Sequence, residues 1–353
     1  MSRFLPLAAG SAAMTCVGGS VAVSAEIADA PLFTIQSLRY ALACLLLLGF
    51  ARLTRAGLVR PRGAEWLWLT GIAGTGLVIF NLALVQGARH AEPAVLGVAV
   101  ACVPPLLAAL GPLLEGRGPA PSVLAGAVVV TIGAGLVQGL GRTDGTGLAW
   151  AVVAFACEAA FTLLAVPVLG RHGPVGVSVH TTWLAAALLA ALGLAHEGPA
   201  AALRLTGADL LAGAYLAVAV TAVAFVLWYL CVSRVGAGRA GLLTGIAPIA
   251  AALAGMALGG PAPRPLVWAG IAVVGLGLAI GLSTTGPQPG AVGPPAAVGP
   301  PAGASHAHPA RAPGDLQALA APGTAAPHAL ARALPAGAGH PAGGVAAPSG
   351  EVA

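Results

Sequence analysis

The sequence predicts an all-α membrane protein of ten transmembrane helices, arranged as two inverted repeats of five helices each. Three observations support this prediction: an apolar composition, recurring charge-free runs, and features of the first half that return in the second. Of the 353 residues, 58% are hydrophobic and only 8% are charged, whereas a soluble domain is about one quarter charged. So few charges cannot cover a water-facing surface, so the solvent around most of the chain is lipid.

Ten runs are long enough to cross the roughly 30 Å of bilayer hydrocarbon, which takes about 20 residues of helix. Eight of these runs contain no charge. The other two contain one each: Pro31 to Phe50 includes Arg39, and Gly147 to Gly170 includes Glu158. The first run, which begins after Arg3, also has the layout of a signal peptide, but it is long for one and the repeat requires it as a helix.

The arginines predict the orientation. With the N-terminus placed in the cytoplasm, eleven of the sixteen arginines fall in cytoplasmic segments, four fall outside, and Arg39 lies within a span. Basic residues concentrate on the cytoplasmic side of membrane proteins. We therefore expect both termini in the cytoplasm and a multi-pass protein of the inner or plasma membrane.

A spacing of 144 residues relates the two halves. Pro104 corresponds to Pro248, and two glycines of the first half correspond in the same way to Gly270 and Gly277. Five spans is an odd number, so the second repeat enters the membrane in the opposite sense. Inverted repeats are typical of transporters, in which two halves rock around a site near the midplane. We expect one repeat over residues 1–144 and the other over residues 145–285.

Residues 286–353 differ from the rest because they are rich in Pro, Gly and Ala and contain few large apolar side chains. Such a segment cannot bury a core. The sequence predicts a disordered cytoplasmic tail.

Pro104 and Pro248 lie within the fourth and ninth predicted helices. Proline within a helix removes one backbone hydrogen bond and bends the helix. The symmetric placement leaves two interpretations open, a gate in the transport path and a simple packing kink.

Four polar residues within spans are candidates for a substrate or proton site. Arg39 and Glu158 are the charged ones, and a charge costs about 2.5–3.5 kcal/mol at a helix centre on insertion scales. We expect both to face a central cavity, where Arg39 binds a substrate carboxylate and Glu158 exchanges a proton. The alternative is an ion pair that fixes helix packing. Asn81 lies in the middle of the third span, and His180 in the seventh can titrate near neutral pH.

Several stretches resemble those of one known family. The second span reads Ser37-Leu38-Arg39-Tyr40, the end of the fourth reads Leu114-Glu115-Gly116-Arg117, and Gly236-Ala237-Gly238-Arg239 precedes Pro248. With the glycine-paired last helix from Leu266 to Gly277, these resemble the EamA-type branch of the drug/metabolite transporter superfamily over about residues 1–285. Where that family commonly has Trp in the sixth helix, this chain has Glu158.

The resemblance implies a carrier of small metabolites, and we expect a secondary-active exporter of amino-acid-like compounds. Efflux of several cationic compounds is the alternative within transport, and a non-transporting membrane scaffold is the alternative outside it. The sequence contains no phosphate-binding loop and no metalloprotease motif. We expect no enzymatic activity, cofactor, metal or nucleic-acid partner. The expected partners are a small-molecule substrate, protons and the lipid bilayer, with a homodimer left open.

Overall fold

A computed structural model describes residues 4–20, 23, 27, 29–259 and 262–283 of the chain. The described residues belong to one compact unit, Met1–Ala296. The predicted cytoplasmic tail, residues 286–353, lies outside the described part of the chain. In that part the secondary structure is helical, with a single isolated β-bridge between Ala91 and Thr143.

The described residues form a bundle of long helices, which we number in chain order. Their bounds are α1 Phe4–Gly19, α2 Leu32–Leu53, α3 Glu65–Gly87, α4 Pro93–Leu114, α5 Pro121–Gln138, α6 Gly145–Leu163, α7 Val166–His196, α8 Gly207–Val235, α9 Ala237–Ala257 and α10 Pro265–Leu282. Proline occupies the first position of α4, α5 and α10, where its missing N–H costs no hydrogen bond.

Within the described ranges, nine helices are long and apolar enough to cross a membrane, namely α2 to α10. The first helix, α1, has 16 residues, which corresponds to about 24 Å. It packs in the bundle, because a Cβ at Gly18 would lie 2.0 Å from the Ala247 carbonyl oxygen of α9. The predicted all-helical, multi-pass fold is therefore confirmed, whereas the count of ten spans and the orientation stay predictions.

Several helices depart from regular α-helix, and one pair of departures is related between the halves. Helices α3 and α8 contain π-helical segments at Ile72–Ile79 and Leu216–Val223. These segments are 144 residues apart at both ends, and so are α5 and α10. The spacing found in the sequence thus relates local backbone distortions as well as helix positions.

Helices α5 and α10 pack against each other through glycines. A Cβ atom at Gly277 would lie 2.9 Å from the Gly126 carbonyl oxygen, and one at Gly133 would lie 2.9 Å from the Gly270 carbonyl oxygen. The earlier glycine of each helix contacts the later glycine of the other, so the helices run antiparallel with equivalent contacts in both directions. Only small residues permit so close an approach of two backbones.

Helices α2 and α7 form a second pair across the two halves. At one end the Glu197 carboxylate accepts hydrogen bonds from the backbone N–H groups of Phe33 and Thr34, at 2.8 and 2.9 Å, and from the Thr34 hydroxyl at 2.7 Å. These N–H groups belong to the first turn of α2 and have no partner within that helix. A carboxylate from the second half thereby caps a helix of the first.

Asp144 caps the start of α6. One carboxylate oxygen accepts from the Gly147 backbone N–H at 2.7 Å, and the other lies 3.0 Å from His90 Nδ1. The Gly147 hydrogen bond, followed by the contact with His90, lowers the pKa of the Asp144 carboxyl below its usual value. Beside this cap, Arg142 forms an exposed ion pair with Glu92.

Replacement of Gly277 by Ala should destabilise the protein by about 1–3 kcal/mol, because the new methyl group overfills the glycine contact. The change is measured as the thermal midpoint of the purified protein in detergent. Gly275→Ala is the matched control, since a Cβ at Gly275 meets nothing within 4 Å. Equal midpoints for the two variants would contradict the close packing of α5 and α10.

The contribution of the Asp144 charge to stability should depend on pH. The folded-state pKa is lowered, so this contribution is complete above the unfolded-state pKa of about 3.9 and is lost as the pH falls through the folded-state pKa. Asp144→Asn retains an acceptor for the Gly147 N–H but cannot ionise. Thermal midpoints measured from pH 7 downwards should therefore differ between wild type and variant at neutral pH and converge in acid. A difference in thermal midpoint that grows below pH 4 would contradict a lowered pKa of Asp144 in the folded protein.

Candidate functional site

A chain of hydrogen bonds crosses the bundle between α2, α3 and α8. Arg39 donates from Nε to Thr221 Oγ1 at 3.1 Å and from Nη1 to Gln36 Oε1 at 3.2 Å. Gln36 Nε2 donates to Asn81 Oδ1 at 3.1 Å, and Asn81 Nδ2 donates to the Tyr40 hydroxyl at 3.0 Å. The Arg39 guanidinium also lies 5.2 Å from the centre of the Tyr40 ring. We call these five residues the Arg39 network.

The Arg39 network is attached to both π-helical segments. Asn81 Nδ2 donates to the Leu77 carbonyl oxygen at 2.6 Å, and the Thr221 hydroxyl donates to the Leu216 carbonyl oxygen at 3.2 Å. Both carbonyls belong to π-helical turns, where the regular hydrogen-bond pattern is interrupted. Such turns occur frequently at functional sites. Arg39 thus connects the equivalent distorted segments of the two halves.

Glu158 lies on α6, apart from this network. Among the described residues, its carboxylate has no hydrogen-bond or ion-pair partner. The exposed side of α6 carries Leu148 and Val152, which are 55% and 57% exposed. Thr162, one turn beyond Glu158 and on the same face of the helix, is buried. Glu158 therefore points towards the interior of the bundle.

The neighbourhood of Glu158 is aromatic. Trp228 Nε1 donates to the Thr162 hydroxyl at 3.1 Å, and the Tyr229 hydroxyl donates to the Phe161 carbonyl oxygen at 3.4 Å. The centre of the Phe161 ring lies 4.9 Å from the centre of the Phe225 ring and 5.2 Å from that of Tyr229. These contacts hold α6 against α8, so the carboxylate lies beside an apolar, aromatic wall.

In the described part of the chain, Arg39 and Glu158 form no ion pair with each other. Arg39 is seven residues after the start of α2, about 11 Å along the helix, and Glu158 is thirteen residues after the start of α6, about 20 Å along. If the two helices start at the same face, as the sequence predicts, the charges lie at different depths. Arg39 bonds to Gln36 and Thr221 instead.

His180 belongs neither to the Arg39 network nor to the surroundings of Glu158. Its Nε2 is 3.0 Å from the carbonyl oxygen of Val59, in the connection between α2 and α3, and its Nδ1 accepts from Trp183 Nε1 at 3.3 Å. Because a carbonyl only accepts, the proton of the neutral ring is on Nε2. Of the four candidates, Arg39 and Asn81 thus share a network, whereas Glu158 and His180 do not belong to it.

The two prolines lie at interruptions of their helices. Helix α4 consists of Pro93–Ala101 and Val103–Leu114, separated at Cys102 just before Pro104. In α9 a short 3₁₀ turn, Leu243–Gly245, precedes the segment that contains Pro248. Both prolines are buried. Each interruption lies within five residues before its proline.

Sequence reasoning did not single out Thr221 or Thr162. A threonine within an apolar span is a weak signal, because its hydroxyl most often bonds to its own helix. Their partners, Arg39 and Trp228, are distant in the chain, so only the packing identifies them. In the described ranges, no group of three or more His, Cys, Asp or Glu side chains is placed to hold a metal ion.

Comparison with known proteins agrees with the helical arrangement. The model of the EamA-like transporter family matches residues 5–138 and 145–282. The uncharacterized transporter YetK of Bacillus subtilis (strain 168) is 27% identical over 267 residues, which cover 72% of this chain and 78% of that protein. One crystal structure is similar at a TM-score of 0.67 and 21% identity, covering 79% of this chain and 98% of its own, which shows a shared fold.

Thr221→Val should lower the stability of the protein by about 1–3 kcal/mol, because the Nε–H of Arg39 loses its acceptor in the interior. Thermal unfolding in detergent measures the change. Thr75→Val is the matched control, since the Thr75 hydroxyl bonds to the Gly71 carbonyl oxygen of its own helix. Thr221→Ser should restore most of the stability, and equal losses for Thr221→Val and Thr75→Val would contradict the role of the network.

Proposed function

This chain belongs to the EamA-like transporter family, and from that premise we propose that it is a secondary-active carrier that exchanges a small organic amine for protons. The family identifies it as a multi-pass membrane transporter. Our proposal adds the coupling, the class of substrate and the residue at which the two meet, Glu158. Export across the cell membrane is the proposed direction, since proton entry down its gradient would drive the amine out.

The observation that supports the proposal is the unpartnered carboxylate of Glu158, set against the engaged guanidinium of Arg39. A charged group within a membrane span is costly unless it has a partner. Arg39 has two hydrogen-bond acceptors and the Tyr40 ring. Glu158 has no polar partner among the described residues, so a proton or a substrate cation would supply the missing positive charge.

The aromatic wall beside Glu158 supports an amine in particular. Phe161, Phe225 and Tyr229 lie in mutual contact, and aromatic faces attract organic cations. A protonated amine is common to amino-acid-like metabolites and to cationic efflux substrates, so both remain within the proposal. Because one carboxylate cannot hold a proton and an ammonium group together, binding of one releases the other, which is the basis of exchange.

The test is transport by the purified protein in liposomes with an imposed pH gradient. The substrate panel contains neutral amino acids, amines without a carboxylate, and carboxylates without an amine. We expect the proton gradient to drive amines, with or without a carboxylate, and not simple carboxylates. A carrier that moves only carboxylates would refute the substrate class, and a wild-type protein that moves none of the panel would favour the scaffold alternative.

Glu158→Gln should reduce gradient-driven transport by about 100-fold, since loss of one partner of a buried charge pair costs about 2–5 kcal/mol. Glu158→Asp should retain measurable transport with a changed pH dependence, because a carboxylate remains. Glu92→Gln is the control, since Glu92 lies outside the helices in an exposed ion pair with Arg142. Unchanged transport and pH dependence in Glu158→Gln would refute the proton role.

A further inference from the structure

A cluster of charged and histidine side chains joins the two halves at one end of the bundle. The Glu65 carboxylate, at the start of α3, forms an ion pair with Arg171 and lies 3.2 Å from His172 Nε2. The same carboxylate accepts a hydrogen bond from the Arg62 backbone N–H at 2.8 Å. Glu65 belongs to the first repeat, whereas Arg171 and His172 belong to the second.

The connection between α2 and α3 is bound to the same place. Arg171 Nη2 donates to the Arg60 carbonyl oxygen at 3.2 Å, and His180 Nε2 donates to the Val59 carbonyl oxygen at 3.0 Å. The rings of His172 and His180 meet edge to face, with centres 5.4 Å apart. We call Glu65, Arg171, His172 and His180 the Glu65 cluster.

The backbone bends beside the cluster. Gly173 directly follows His172 and has φ +66° and ψ 172°, which interrupts α7 before Pro174. A positive φ is readily adopted only by glycine. The segment that carries Arg171 and His172 is therefore separated from the rest of α7 by a break at which its direction can change.

The equivalent position in the other half lacks this connection. Asp209 is 144 residues after Glu65 and lies in the first turn of α8, as Glu65 lies in the first turn of α3. Its carboxylate accepts hydrogen bonds from the N–H and hydroxyl of Thr206, both at 2.8 Å, in a capping box within its own half. Both carboxylates accept a backbone N–H from three residues earlier, and Glu65 in addition forms an ion pair with Arg171 of the second half.

We propose that the Glu65 cluster is a latch between the two halves, which closes one face of the transporter and opens when the substrate site is exposed to that face. In an inverted-repeat carrier the halves rock against each other, so contacts between them must break on one side in each state. Half-buried ion pairs suit this role because water can replace them at small cost. The exposed pair Glu92–Arg142 joins residues of the same half and would not change.

The latch is tested by the accessibility of a buried reporter rather than by transport, so the result does not depend on Glu158 or on knowing the substrate. The reporter is Ala73→Cys, two turns beyond Glu65 on α3 at a site with 0% exposure. Vesicles of each orientation are treated with a membrane-impermeant maleimide. Modification of the introduced cysteine is followed on its own peptide by mass spectrometry, which separates it from the five native cysteines.

Glu65→Gln and Arg171→Gln should each accelerate modification of the reporter by about two- to fivefold, the upper part of the range for a partly exposed ion pair. The acceleration should occur from the side that carries Arg60. Exchange of the two charges, Glu65→Arg with Arg171→Glu, should return the rate towards that of the parent. Glu92→Gln is the matched control and should leave the rate unchanged.

Three outcomes would overturn the proposal. Rates in Glu65→Gln and Arg171→Gln that equal the rate in Glu92→Gln would show that the cluster does not hold the face closed. Equal acceleration from both sides of the membrane would indicate general loosening of the fold. Acceleration that persists in the charge-exchanged protein would show that the ion pair is not the closing contact.

Discussion

The hydrocarbon of the bilayer imposes the constraint on which this structure depends: each polar group within it needs a partner supplied by the protein. Arg39 meets this need through Gln36, Thr221 and the Tyr40 ring. In the π-helical segments of α3 and α8, the side chains of Asn81 and Thr221 donate hydrogen bonds to backbone carbonyl oxygens. Glu158 does not meet this need among the described residues. Because its carboxylate has no polar partner there, Glu158 is the residue that says most about function.

The 144-residue repeat relates backbone features of the two halves but not their polar side chains. The glycine contacts of α5 and α10 and the π-helical segments of α3 and α8 repeat at 144 residues. The polar side chains do not: Arg39 corresponds to Trp183, and Glu158 corresponds to Met14. Glu65 and Asp209 are both acidic but differ in partner. The repeated backbone thus carries different polar side chains in its two halves, and the residues of the proposed site and latch are among them.

Much of the fold followed from local properties of the chain. Charge-free runs locate the helices because hydrocarbon excludes charge, and nine of the predicted spans have counterparts in the described residues. The repeat was visible because packing requires glycine at fixed positions, such as Gly133 and Gly277. The candidate site was less predictable. The sequence left an ion pair between Arg39 and Glu158 open, whereas in the structure Arg39 bonds to Gln36 and Thr221.

The sequence by itself determined that the chain lies in a membrane, that it has two related halves, and that Arg39 and Glu158 are the charges that the spans must accommodate. These properties depend on composition and on spacing along the chain. Only the tertiary structure decided which of those charges is satisfied and which residues join the halves. The physical reason is that a hydrogen bond such as Arg39 to Thr221 spans 182 residues, and helix packing alone brings its two ends together.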